Sequence, residues 1–110
     1  MIDWDRVAEL RKEVGEKDFN EVVELFLEEV DEMVTKLKCA PDPACLEEDM
    51  HFLKGSSLNL GFRALSSICQ RSEKLAAAGQ PELVDLLKVF TTYEASKAEF
   101  LKSAGVGFAA

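Results

Sequence analysis

One histidine and three cysteines are all that this chain of 110 residues offers in the way of soft metal ligands. A zinc site needs about four suitably spaced ligands, and these are too few and too scattered. There is no Gly-rich phosphate loop, no nucleophile elbow and no nucleotide-binding segment, so the chain is neither a kinase nor a recognisable hydrolase. Lys and Arg number 13 against 21 Asp and Glu, a net charge of −8, and they form no cluster. Nucleic-acid backbones and anionic membrane surfaces are held by such clusters, so both are excluded as partners. No apolar run is long enough to span a bilayer. The opening Met-Ile-Asp-Trp-Asp is acidic where a secretory signal is basic and then apolar, which leads us to expect a cytoplasmic protein. Cys39 and Cys45 flank Ala-Pro-Asp-Pro-Ala and their pairing across that turn is left open. In a reducing compartment free thiols are the expectation.

What is present fits one domain, 1–110, with a loose tail at about 105–110. The chain is 47% apolar and 31% charged, as in an ordinary soluble globular protein. Period-two alternation is absent and the helical period recurs throughout. The spacing predicts a first helix from about Trp4 to Val14, capped by Asp3 and stopped at Gly15. A second runs from about Phe19 to Leu37 behind Asp18, with an apolar stripe and an acidic solvated face. Asp42-Pro43 opens a third that ends at Gly61. A fourth spans about Arg63 to Ala78. Gln80-Pro81 opens a fifth, with Leu83, Val84, Leu87, Phe90, Ala98 and Leu101 on or near one face. Short links between long amphipathic helices predict an all-α, antiparallel up-down-up-down four-helix bundle with a short additional N-terminal helix.

The third helix carries the lone histidine. At 100° per residue, Leu46, Met50, Leu53, Ser57 and Leu60 form the core stripe, with Ser56 at its edge. His51 lies roughly 140° away and points outward. Lys54 and Gly55 follow at i+3 and i+4, Leu58 one turn further, and Glu47 and Glu48 precede by one turn. A mid-helix glycine costs about 1 kcal/mol relative to alanine. Beside an exposed imidazole it removes bulk where a partner must come close. The plainer alternatives are a tolerated glycine, a solvated lysine paired with a carboxylate, and an isolated surface leucine. About the turn at Gly61-Phe62, His51 and Glu73 lie eleven residues from Phe62 on either side and so at similar height. Glu73 is therefore placed to accept from Nδ1–H and leave Nε2 as nucleophile, with Gln70 as the second choice.

The run His51-Phe52-Leu53-Lys54-Gly55-Ser56-Ser57, followed by Leu60-Gly61, resembles the histidine-containing phosphotransfer (HPt) family. Phe62 departs from the alanine that commonly follows. The resemblance implies that His51 is phosphorylated by a receiver-domain phospho-aspartate and passes the group to another receiver. It implies that Lys54 stabilises the phosphoryl group, that Gly55 gives the receiver room, and that Glu73 orients the ring. Gly55, Leu58 and Phe62 are expected to form the docking surface, while Ser56, Ser57, Leu60 and Gly61 are structural. Its partners would be response-regulator receivers and a hybrid sensor kinase. The chain itself would act as a monomer without cofactor, the Mg²⁺ residing on the receiver. Three rival readings fit the residues less well. A never-phosphorylated helical adaptor has no need of the His-Lys-Gly arrangement. An enzyme using His51 as general base lacks a supporting constellation. A dimeric phosphotransferase needs a dimerisation seam and a second domain.

Overall fold

The computed structural model describes residues 1–103, so the expected tail lies outside the described residues. Five α-helices follow one another: α1 (Trp4–Val14), α2 (Phe19–Cys39), α3 (Leu46–Leu60), α4 (Arg63–Ala77) and α5 (Leu86–Ser103). Among the described residues there is no strand, only an isolated antiparallel bridge between Ile2 and Phe62.

Local chemistry accounts for the ends. The Asp3 carboxylate accepts from the Arg6 N–H at 3.2 Å and caps α1. Asp18 precedes α2, but its side chain makes no capping bond. Asp42-Pro43 does start a helical segment, as a 3₁₀ turn over Pro43–Cys45, in which the Asp42 carboxylate accepts from the Ala44 N–H. The α-helix proper begins only at Leu46.

The fifth helix corrects the expectation from sequence. Pro81–Leu83 forms a separate 3₁₀ turn, Val84 is extended, and Asp85 restarts the chain by accepting from the Lys88 N–H. That break resets the helical phase. Leu87 is consequently 71% exposed and Leu83 is exposed too, while Val89, Tyr93, Ser96 and Phe100 face inward.

Helix α3 sits at the centre. It packs most extensively on α4, to which Gly61 and Phe62 join it, and it also touches α1 and α2; α4 in turn contacts α5. Leu46, Met50, Leu53, Ser57 and Leu60 are all buried, which matches the predicted stripe. Small residues line the α3–α4 contact: Ser57, Ser66, Cys69 and Ser72 are buried. The Ser57 and Ser72 hydroxyls donate to carbonyls of their own helices, Leu53 and Ile68, so close packing leaves no polar atom stranded there. Asp31 of α2 accepts from the Tyr93 hydroxyl at 2.6 Å and from Lys97, tying α2 to α5.

The N-terminal segment closes over the α3–α4 turn. Asp3 N–H donates to Gly61 O at 2.7 Å and Ala64 N–H donates to Met1 O at 3.3 Å. Beneath it, Phe62 meets Phe100 edge-on at 5.5 Å and Tyr93 at 6.4 Å between ring centroids. Phe62 is 1% exposed. Full burial of such a ring is worth about 1.5–3 kcal/mol.

Candidate functional site

His51 projects from the middle of α3 with 69% of its side chain exposed. Its Nδ1 lies 2.9 Å from Glu73 Oε2 on α4. An ionised carboxylate can only accept, so Nδ1 carries a proton against Glu73, and in the neutral ring that leaves the lone pair on Nε2. The other oxygen of the same carboxylate, Oε1, is 2.7 Å from Lys54 Nζ. Glu73 thus bridges the imidazole and the ammonium, and both sit on the outer face of α3 one turn apart. The ammonium holds the Glu73 carboxyl below the ordinary carboxylate range, and the imidazole adds a smaller push the same way.

The sequence expectations map onto this geometry unevenly. Glu73 reaches His51 as the register about the turn predicts. Gln70 is exposed on α4 and has no bond to the ring among the described residues. At Gly55 a Cβ would meet nothing within 4 Å, so this stretch of helix surface beside His51 is open. Leu58 is 55% exposed on the same side. Ser56 and Leu60 are buried with Ser57, as structural roles require.

Phe62 is the exception. A place on the docking surface is ruled out by its burial under the N-terminal segment and against Tyr93 and Phe100. The departure from alanine at this position is thus a core-filling feature.

One residue near the site is not evident from the sequence pattern. Asp49, two positions before His51, is 4% exposed and accepts from Lys36 Nζ of α2 at 3.1 and 3.2 Å. A carboxylate three residues after Leu46 and four before Leu53, at the border of an apolar stripe, was the available signal that a partner had to exist. The pair anchors the first turns of α3 to α2. Asp49 raises the proton affinity of Lys36, chiefly through that hydrogen bond.

Other chemistry near α3 is subdued. Cys39, Cys45 and Cys69 are free thiols. Burial pushes the Cys69 thiol up to about 12, and the Glu73 carboxylate adds to the rise. The Cys45 thiol donates to Asp42 Oδ2 at 3.5 Å, which raises it as well. No group of three or more metal-ligating side chains converges among the described residues. No helix among them is long and apolar enough to cross a membrane. A depression of about 600 Å³ between α1 and the end of α5 is lined by none of His51, Lys54, Gly55, Leu58 and Glu73.

This arrangement can hold a nucleophilic nitrogen outward, fix its tautomer from behind, and keep a cation one turn away on an unobstructed face. Searches of curated proteins and of solved structures return no match. A scan against family models matches the Hpt domain over residues 21–98, a span that includes α3, α4 and most of α2 and α5. Hpt domains carry phosphoryl groups in phosphorelays, where they interact with receiver domains. With well over half of its length matched, the chain belongs to the Hpt domain family.

Proposed function

We propose that the chain is a phosphoryl carrier in a two-component relay, with His51 as the residue that takes the group from one receiver aspartate and gives it to another. The observation that carries this is the Glu73 bridge, 2.9 Å from His51 and 2.7 Å from Lys54. In the accepting step Nε2 attacks the phosphorus of the acyl phosphate, an N–P bond forms, and the P–O bond to the aspartate breaks. The aspartate leaves as carboxylate. The ring becomes cationic and keeps its Nδ1 proton against Glu73, whose negative charge offsets it. Onward transfer reverses these bonds on a second receiver. Lys54 would meet the phosphoryl oxygens, and Gly55 would let the receiver reach Nε2 in line. Mg²⁺ and most of the catalysis belong to the receiver.

The scaffold in this reading is a single domain whose α2 to α5 run up-down-up-down with α1 flanking; contacts between α2 and α3, α3 and α4, and α4 and α5 support it. The protein acts as a monomer in the cytoplasm, upstream receivers belonging to a hybrid sensor kinase.

The test is a mixture of the purified chain with receiver domains pre-charged on aspartate, with His51→Gln alongside. Phosphate-affinity gels and phosphorus NMR follow the group. Label on the wild type in acid-labile, base-stable form, absent from the variant, is the expected result. No transfer from a broad panel, with helical circular dichroism intact, overturns it and leaves an unphosphorylated helical adaptor.

A further inference from the structure

We propose that the receivers served by this chain present cationic side chains beside their phospho-aspartate, and that Glu47 and Glu48 select them. The inference rests on the relay reading of His51 and specifies its partner. Its basis is the uneven charge around the imidazole.

Glu47 and Glu48 precede His51 by one helical turn and are exposed. Together with Ala44, His51 and Glu73 they line one open concavity of about 460 Å³. Neither Glu47 nor Glu48 has a cation against it among the described residues. Asp49, the third acid of this turn, is instead neutralised by Lys36. Acids are favoured at a helix N-terminus, but that preference does not place two uncompensated ones in the same concavity as the nucleophile. The cation of the site, Lys54, lies against Glu73 and not against either of them.

On the other side of His51 the surface changes character. Gly55 is open and Leu58 is exposed and apolar. From Glu47 to Leu58 the helix rises about 16 Å, so one partner face spans both halves. An acyl phosphate approaching this strip is itself an anion and meets two carboxylates near its target. A partner that brings cations opposite Glu47 and Glu48, and an apolar side chain opposite Leu58, turns that repulsion into attraction and fixes the docking register. A receiver with an acidic rim is rejected by like charge.

The experiment uses the full chain and a panel of purified receiver domains charged on aspartate, half with basic and half with acidic side chains flanking that aspartate. Transfer rates to the wild type, to Glu47→Gln/Glu48→Gln and to Glu47→Lys/Glu48→Lys are measured at low and high salt. The wild type is expected to favour basic-rimmed receivers by roughly ten-fold or more at low salt, with the preference shrinking as salt rises. The glutamine pair flattens the preference and the lysine pair reverses it. The glutamine pair keeps side-chain shape and suffices alone if the lysine pair does not fold. An unchanged ranking of receivers in the variants, with the wild type still labelled on His51, overturns this inference and spares the relay reading. No labelling of the wild type by any receiver overturns both.

Discussion

At the scale of single residues the site is a contest for one carboxylate. Glu73 offers one oxygen to His51 and the other to Lys54, and Lys54 does most to lower its proton affinity. A carboxyl depressed in the folded state stabilises the fold above its unfolded pKa, and that contribution disappears as pH falls through the folded value. On the acid side the bridge therefore persists until Glu73 takes up a proton. Carbon NMR of the Glu73 carboxyl should give a midpoint below the ordinary 4.5, and Lys54→Met should raise it. A wild-type midpoint at or above 4.5 would count against the bridge in solution. His51 and Glu73 were legible as a pair because a short turn fixes which residues of two packed helices share a height. Phe62 was not legible. A residue beside a turn glycine looks exposed until a segment from elsewhere in the chain, here Met1 to Asp3, covers it.

At the scale of the element, α3 and its C-terminal cap hold glycine at two positions with opposite demands. Gly55 lies in open mid-helix, where alanine would be accepted without contact. Gly61 ends the helix in the left-handed region at φ 77°, and a Cβ there would stand 2.7 Å from Asp3 O. Gly55→Ala should therefore raise stability by about 0.5–1 kcal/mol while slowing receiver transfer by on the order of ten-fold, since docking must accommodate the new methyl. Gly61→Ala should lower stability by roughly 1–3 kcal/mol. Urea denaturation of both variants checks the pair, and equal signs would refute the assignment of Gly55 to access. The helical period of α3 could be read from sequence because its stripe is continuous. It misled at α5, because nothing local showed that Val84 would adopt an extended conformation and that Asp85 would begin a new phase. Asp49 was missed for a related reason: its partner Lys36 lies on another helix.

At the scale of the whole molecule, the core reports on itself through its thiols. Cys39 is exposed, whereas Cys69 is 0% exposed, and its burial favours the unreactive protonated form. Under native conditions a thiol reagent should modify Cys39 at once and Cys69 only through opening of the packed helices. Cys69 labelling should then rise with denaturant in step with loss of helical circular dichroism. Fast native labelling of Cys69 would mean that α3 and α4 separate without global unfolding. The described chain also joins its start to its middle. Residues 1–3 bond to Gly61 and Ala64, with just over half of the chain lying between Asp3 and Gly61. During synthesis those first residues emerge long before the turn that they cover, so their bonds are among the last contacts the hairpin can complete. A protease that clipped them would leave His51, Lys54 and Glu73 chemically intact. It would also bare the Phe62 ring to solvent, turning a competent carrier into a sticky one.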